Sequence, residues 1–217
     1  MGLKVSSKGN FDPVPAGLHH AVCYQVIDLG TQLNTMFNKR QHKVMIVFEI
    51  PGERIDVDQD GKQVSMPRAI SKEYTGSISP RSNLGKDINS WRGEAFTPDE
   101  LQNFDLRNVL SANCQLNVIH NSNDRGTFAN IDSIVPLGKG MKKLTPENPQ
   151  VIFDLDDDET IPETVPDWIQ EKIHASEEWM AKHEPGADGA GVQASDVKDA
   201  LPDGDKKEDD GKRELPF

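Results

Sequence analysis

Short segments in which apolar and polar residues alternate dominate the first two thirds of the chain. The alternation predicts β-strands over residues 20–29, 43–50, 63–74, 114–120 and 127–135. The strand over 43–50 is the clearest, because β-branched residues and Phe48 fill it and Pro51-Gly52 end it. Pro67 lies inside the third predicted strand, which indicates an edge strand or a bulge at that point.

A helical period replaces the alternation between the third and fourth predicted strands. Leu84, Ile88 and Trp91 recur at i, i+4 and i+7, which predicts a helix over 79–92. Thr97 followed by Pro98 is typical of a helix start, so we expect a second short helix there.

A further amphipathic pattern covers residues 166–183. Ile169, Ile173 and Met180 form one apolar stripe, with Trp168 and Trp179 beside it. This predicts a single helix, which either docks on the strands or is free to bind a partner.

The order of three strands, a helical insertion and two strands is that of an OB fold. We therefore predict an all-β protein: a five-stranded OB-fold Greek-key barrel with a helical insertion, one C-terminal amphipathic helix and an acidic tail. SH3-like and other small barrels also have five strands, but an insertion of about 30 residues at this position favours the OB fold.

Charge divides the chain more clearly than hydropathy does. The 217 residues have a net charge of −12, yet residues 1–143 hold 17 Lys and Arg against 15 Asp and Glu. Residues 144–217 hold 7 basic and 21 acidic residues. We therefore predict an OB domain over 1–143, an acidic linker and amphipathic helix over 144–183, and a disordered acidic tail over 184–217.

The cysteines and the lack of long apolar runs indicate the cellular compartment in which we expect the protein. Cys23 and Cys114 each lie within an apolar, strand-like run, which is typical of buried free thiols in a reducing compartment. The N-terminal residues do not resemble a signal peptide, and no run approaches the roughly 18 apolar residues of a membrane span. We expect a cytoplasmic protein with no membrane partner.

Motifs for catalysis or metal binding are not found in the sequence. The stretch 56–61 resembles half of an EF-hand loop, but Pro67 stands where the bidentate Glu is needed, so a hairpin turn is the better interpretation. Gly138-Lys139-Gly140 lacks the spacing of a phosphate-binding loop, and the His and Cys residues lack zinc spacing. We predict no enzyme activity, no catalytic residues, no metal and no cofactor.

Basic and aromatic residues in the predicted barrel indicate nucleic acid instead. Binding a single strand without sequence preference requires cations for the phosphates and exposed rings on which bases stack. Connector 30–42, the third strand and the helical insertion supply candidates of both kinds. The predicted DNA-binding residues are Phe37, Lys39, Arg40, Lys43, Arg68, Lys72, Tyr74, Arg81, Lys86, Trp91 and Arg92.

Each candidate ring has a structural alternative. Trp91 shares the spacing of Leu84 and Ile88, which favours the core, whereas Phe37 in a polar connector fits stacking and core equally well. Tyr74 could be buried with only its hydroxyl exposed.

The final residues of the sequence form a compact ligand. An acidic tract leads to Glu214, Leu215, Pro216 and Phe217, in which an aromatic ring lies next to the terminal carboxylate. Such a tip fits an apolar pocket with a basic residue beside it, so we predict these four residues to bind a protein partner.

This tip resembles that of bacterial single-stranded-DNA-binding proteins, which end in acids followed by Ile/Leu-Pro-Phe and recruit replication and repair enzymes. Here Lys212 and Arg213 interrupt the acids. Residues 13–137 are similar to a phage-encoded family of OB proteins of the same kind. The matching segments are 15–17, 28–32, 47–50, 71–75, 82–84, 91–93 and 128–131.

The resemblance implies binding of single-stranded DNA without sequence preference, in support of phage DNA replication and recombination in the host bacterial cytoplasm. The tip would recruit replication or recombination proteins, and the oligomeric state, a homo-oligomer included, stays open. An interaction adaptor that does not bind DNA is the first alternative. An enzyme of nucleic-acid metabolism is the second.

Overall fold

The computed structural model describes residues 12–35, 37–59, 61–124 and 126–183. This part is rich in β-structure, with helices between the strands and after them. In chain order its elements are β1 (Gly17–Asn34), β2 (Lys39–Gln59), β3 (Lys62–Thr75), α1 (Asn83–Arg92), α2 (Glu100–Asn103), a 3₁₀ turn (Leu106–Val109), β4 (Asn113–Asn123), β5 (Gly126–Pro136), β6 (Val151–Phe153), α3 (Asp167–His174) and α4 (Glu177–His183). The tail over 184–217 and its tip lie outside the described residues.

The strands form one six-stranded sheet in the order β3-β2-β1-β4-β5. These five strands pair antiparallel, and β6 adds to β1 in parallel register at Gln25–Ile27. The predicted β-rich class with a helical insertion is therefore confirmed. In the described part, β3 and β5 end the path without pairing with each other, so the sheet is not closed.

Pro67 helps to explain the open end of the sheet. It lies on β3, at the end of the strand order, and its partner Arg54 follows an irregularity in β2. Proline has no backbone N–H to donate across a ladder. The expectation of an edge strand or bulge at Pro67 is confirmed.

The strands are longer than the alternation predicts. Residues 31–34 and 39–42, expected to be a polar connector, are the paired ends of β1 and β2. Four of these eight side chains are exposed and none is buried, so the backbone pairing is not accompanied by an apolar pattern. The hairpin over 56–61 is confirmed, since Gln59 pairs with Lys62 and the Asp58 carboxylate accepts a bond from the Gly61 amide at 2.7 Å.

Two separate cores cover the two faces of the β1–β2 pair. The inner face, defined here as the one toward α1, buries Ile46 and Phe48 with Leu84, Ile88 and Trp91. The outer face buries Met45 and Val47 under side chains of the C-terminal segment, which are Val151, Phe153, Leu155, Val165, Ile169 and Ile173. The unbroken apolar run 44–48 follows from burial on both faces.

α1 is fixed at both ends and by its tryptophan. The Ser82 hydroxyl accepts from the Gly85 amide at 3.0 Å, and Gly93 ends the helix in the left-handed region at φ 76°. Trp91 is buried, donates from Nε1 to the Asn113 carbonyl at 2.9 Å and packs against Phe48 at 5.3 Å between ring centroids.

The predicted single helix over 166–183 is wrong in detail. Ile173 ends the first apolar stripe, and the chain breaks at 175–176 into α3 and α4. The Ser176 hydroxyl donates to the Ile173 carbonyl at 2.6 Å and accepts from the Trp179 amide at 3.2 Å, so it closes one helix and starts the next. Ile169 and Ile173 dock α3 on the outer face.

The connector into this C-terminal segment is held by a buried acid. The Glu49 carboxylate on β2 accepts bonds from the Glu147 amide at 2.8 Å and from the Asn148 amide and side chain at 2.9 and 2.7 Å. Among the described residues, no helix has the length and apolar character needed to cross a membrane.

Candidate nucleic-acid interface

The start of β2 places lysines on the outer side of the sheet. Lys39 and Lys43 share the parity of Met45, whose side chain lies in the outer core. Lys43 donates from Nζ to the Thr75 hydroxyl at 3.3 Å and lies 3.8 Å from the Glu73 carboxylate on β3. Lys39 is exposed, and the described residues give it no ion pair.

α3 brings a third lysine to the same place. Burial of Ile169 and Ile173 leaves Trp168 and Lys172, four residues apart, on the open side of the helix. Lys172 forms an ion pair with Glu73, and its Nζ lies 5.8 Å from the centroid of the Trp168 ring. The Lys172 carbonyl accepts from the Gln32 side chain at 2.8 Å, which ties α3 to the β1–β2 hairpin.

We call Lys39, Lys43 and Lys172 the lysine track. Exposed aromatic rings flank it: Phe37 on the hairpin is 66% exposed and Trp168 on α3 is 48% exposed. Glu73 lies between two of the three lysines, and α3 also exposes Asp167 and Glu171. The track thus combines cations with accessible ring faces on a surface that is not uniformly basic.

Arg40, also predicted to bind DNA, is engaged by α4. Its Nε lies 2.8 Å from the Glu177 carboxylate. The neighbouring Glu178 accepts bonds from the Thr31 amide at 2.6 Å and hydroxyl at 2.5 Å. His42 adds a third contact, with Nε2 3.0 Å from Asp28 and Nδ1 3.9 Å from Glu178. We call these contacts of Glu177 and Glu178 the α4 clamp.

The contacts of the α4 clamp shift the pKa of two of its groups, His42 and Glu178. The hydrogen bond to Asp28 raises the pKa of His42 above its usual value, and nearby acids add to this against the effect of burial. Burial would raise the pKa of Glu178, but the bonds from Thr31 outweigh it and lower that pKa. Gly30 makes the approach possible, because a Cβ there would lie 2.6 Å from that of Ser176.

The three candidates on β3 do share one face, as their parity predicts, but that face is the inner one. Tyr74 is buried, and its hydroxyl donates to Asp87 at 2.8 Å. Burial raises its pKa, as do the charge of Asp87 and the bond to it. Lys72 forms an ion pair with the same Asp87 at 2.7 Å, and Arg68 donates to the main-chain carbonyls of Asp12 and Arg54.

The candidates on the helical insertion do not converge with the lysine track. Trp91 belongs to the inner core, which settles for this structure the alternative that the sequence left open. Arg92 pairs with Glu94 and Glu100 and stacks over Phe96 at 4.7 Å. Arg81 and Lys86 are exposed, without an ion pair among the described residues.

Two concavities lie elsewhere on the molecule. A groove of about 580 Å³ separates β3 from β5 and is lined by Arg68, Pro67 and Phe128. A cavity of about 370 Å³ lies beside Trp91, with Arg92 and Lys143 among its lining residues. The described residues contain no cluster of His, Cys, Asp or Glu suited to a metal ion.

Trp168 and Lys172 are the residues that sequence reasoning missed at this surface. Their signal was present in the helical spacing, because both lie off the Ile169–Ile173 stripe and one turn apart. The predicted tip residues Glu214, Leu215, Pro216 and Phe217 lie outside the described residues.

Comparison with known proteins gives no family assignment: no family model, no curated protein and no solved structure matches this chain.

Proposed function

We propose that this chain is an OB-fold protein that binds single-stranded DNA without sequence preference through the lysine track. Support for the fold comes from the strand order. β1 pairs with both β2 and β4, the helical insertion lies between β3 and β4, and β3 faces β5 across a groove. These neighbours are the ones that an OB barrel with an unpaired last seam would have, which supports the proposed fold.

The observation that carries the functional proposal is the pairing of cations with exposed rings on the outer β2–β3 side. OB folds bind oligonucleotides on the face of their second and third strands and on the adjoining loops. Single strands bind through phosphate contacts and through bases stacked on aromatic rings. Phe37 and Trp168 supply the rings, and the lysine track supplies the cations.

The dimensions of the track suit an extended strand. Lys39 and Lys43 are four residues apart on one strand, which places them about 13 Å from each other. Lys172 continues the series on the far side of Glu73. Tyr74 and Trp91 are left out of the proposed surface, because their rings are buried and offer no face to a base.

The role of the tail stays a proposal on the resemblance of its tip. We infer that Glu214 to Phe217 recruits replication or recombination proteins in a phage-infected bacterial cytoplasm. Folding of the acidic tail onto the lysine track would compete with DNA. Removing residues 203–217 should then raise the affinity for DNA at low salt, and unchanged affinity would contradict the competition.

The test is a fluorescence-anisotropy titration of labelled oligo-dT at several salt concentrations. Because each phosphate contact releases counterions, the variant K39Q/K43Q should bind more weakly and with a shallower salt dependence. Trp168→Ala should weaken binding about 5- to 150-fold, corresponding to roughly 1–3 kcal/mol for one stacked base, whereas Trp168→Phe keeps most of the affinity.

Lys139→Gln is the matched control, since this exposed lysine lies on the turn after β5 and away from the track. It should leave affinity and salt dependence unchanged. Failure of the wild-type protein to bind oligo-dT would exclude the proposal and favour the adaptor alternative. An equal loss of affinity in K39Q/K43Q and in Lys139→Gln would show that binding does not use the track.

A further inference from the structure

The cavity beside Trp91 has the size and the wall composition of a small-molecule site. Its volume is about 370 Å³, and the lysines of the lysine track are not among its lining residues. Ligand pockets of this kind combine a mostly apolar wall with a few polar groups at fixed positions. More than half of the lining residues are apolar: Ile88, Trp91, Phe104, Val109, Ala112 and Leu137.

Two aromatic side chains form part of this wall, and both are held by other contacts. Trp91 donates from Nε1 to the Asn113 carbonyl at 2.9 Å and packs against Phe48. Phe104 makes an edge contact with Phe96, with 4.8 Å between the ring centroids. A planar apolar ligand would therefore contact aromatic surfaces that are already ordered, at little cost in side-chain entropy.

The polar part of the lining is rich in hydrogen-bond donors. Among the described residues that line the cavity, none is Asp or Glu. Lys143 and Asn108 are exposed, and within the described part of the chain their side chains form no hydrogen bond or ion pair. The Ser111 hydroxyl and the Asn113 side chain are already engaged with other residues. The unused groups are thus an ammonium and an amide.

Arg92 contributes one further donor. Its Nη2 pairs with Glu94 and Glu100, whereas its Nη1 is buried and has no hydrogen-bond partner among the described residues. A buried guanidinium nitrogen without an acceptor is uncommon, because it has lost the bonds that water would give it. The group that completes it must be an acceptor, and Arg92 lines the cavity.

These features select the two ends of a ligand. Lysine and arginine donate and do not accept, so the polar end must be an acceptor. A carboxylate suits it best, because the charge of Lys143 is not neutralised, whereas Arg92 already pairs with two acids. The aromatic wall selects a ring for the other end.

We propose that this cavity binds a small carboxylic acid that carries an aromatic ring. The ring lies against Trp91 and Phe104, and the carboxylate accepts bonds from Lys143 and Arg92. The site is separate from the lysine track, so it does not depend on the binding of DNA.

The experiment is a titration of the isotope-labelled full-length protein with phenylpropionate at constant ionic strength, followed by nuclear magnetic resonance. The indole N–H signal of Trp91 reports on the cavity wall, and Trp168→Phe and Trp179→Phe assign the signals of the three tryptophans. A ligand of this size should bind saturably with a Kd on the order of 1 mM.

Two related probes test the two ends of the ligand. Phenylpropanamide keeps the ring and the shape but carries no charge, so it should bind about tenfold more weakly. Propionate keeps the carboxylate without the ring and should leave the Trp91 signal unchanged.

Lys143→Gln tests the cation of the site. It should weaken the binding of phenylpropionate about 3- to 10-fold and leave the binding of the amide unchanged. The matched control is Lys142→Gln, because Lys142 is also exposed but does not line the cavity. Both lysines are exposed, so both variants should fold like the wild type.

Three results would overturn the proposal. The first is a Trp91 signal that shows no saturable shift up to about 20 mM phenylpropionate. The second is equal affinity for the acid and the amide, and the third is an equal loss in Lys143→Gln and Lys142→Gln. A parallel oligo-dT titration should give the same affinity with and without phenylpropionate. Competition between the two would contradict a site separate from the lysine track.

Discussion

Tyr74 shows how one side chain connects β3 with the helical insertion. Its ring fills the inner core, and its hydroxyl donates to Asp87, which also pairs with Lys72. The three groups satisfy each other in a half-buried setting, where an unpaired polar atom is costly. These contacts hold β3 to α1, although the residue types match those of a DNA-binding surface.

Replacing Tyr74 by Phe should therefore affect stability and not DNA binding. The change removes one hydrogen bond to a carboxylate and keeps the ring, so we expect a loss of about 1–2 kcal/mol in the free energy of unfolding. Urea denaturation measures this loss. An oligo-dT titration of the same variant should match the wild type, and a weaker affinity would return Tyr74 to the binding surface.

The residue scale also shows where sequence reasoning stops. The alternation along β3 correctly placed Arg68, Lys72 and Tyr74 on one face of the sheet. It does not tell which face of the sheet is exposed to solvent. Trp91 was assignable to the core because its spacing repeats that of Leu84 and Ile88. No comparable spacing in the sequence reveals the contact of Lys72, because its ion pair with Asp87 depends on how α1 lies across β3.

At the scale of elements, the α4 clamp joins the C-terminal segment to the β1–β2 hairpin. The Thr31 amide lies beyond the stretch of β1 that pairs with β6, and Glu178 satisfies it. Glu177 meanwhile neutralises Arg40, one of the cations predicted to bind DNA. Docking of α4 therefore sets how much positive charge the hairpin presents.

The α4 clamp should weaken as pH rises through the folded pKa of His42. The pKa of His42 is raised in the folded protein, mainly by its bond to Asp28. Its contribution to stability is therefore complete below the unfolded value of about 6.5 and is lost as pH rises through the folded value. Hydrogen exchange at the Thr31 amide, corrected for the intrinsic pH effect, should speed up over that range.

His42→Gln should remove this pH dependence, because glutamine does not titrate. His183→Gln provides the control, since His183 lies at the exposed end of α4 and contacts Trp179 instead. A pH profile of Thr31 exchange that is identical in wild type and His42→Gln would falsify the role of His42.

Element boundaries were predictable where an apolar pattern accompanies them. The interior of β1, β2 and α1 has such a pattern, and the prediction holds there. The polar ends of the β1–β2 hairpin and the three-residue β6 do not, because backbone pairing with a distant strand leaves no local period. The break between α3 and α4 depends on the Ser176 bonds, which the apolar stripe does not reveal.

The whole molecule is organised around a strand pair that is covered on both sides. The outer core joins β1 and β2 to residues that the charge pattern assigned to a separate linker and helix. Its members on β1 and β2 are Tyr24, Ile27, Leu29, Met45 and Val47. The predicted domain boundary at residue 143 follows the change in charge along the sequence. The packing of side chains on the outer face continues past that boundary to α4.

A chain ending at Lys143 should therefore not fold normally. It would expose the outer-core side chains, each of which contributes about 1.5–3 kcal/mol when buried, and would leave the Glu49 carboxylate without its three donors. We expect aggregation or loss of a cooperative thermal transition, measured by circular dichroism and light scattering.

A chain ending at His183 keeps both cores and is the reference for this comparison. It should melt cooperatively. Equal melting temperatures for the two chains would show that residues 1–143 are an independent domain, as the charge division suggested.

The parallel pairing of β6 with β1 also has a consequence for biosynthesis. Gln25 and its partner Val151 are separated by more than a hundred residues, so this contact has a high contact order and forms late. At translation rates of about 5–20 residues per second, β6 follows β1 out of the ribosome after roughly 6–25 s. During that interval the nascent chain presents Met45 and Val47 without their cover, so we expect it to be most prone to aggregation at this stage of synthesis.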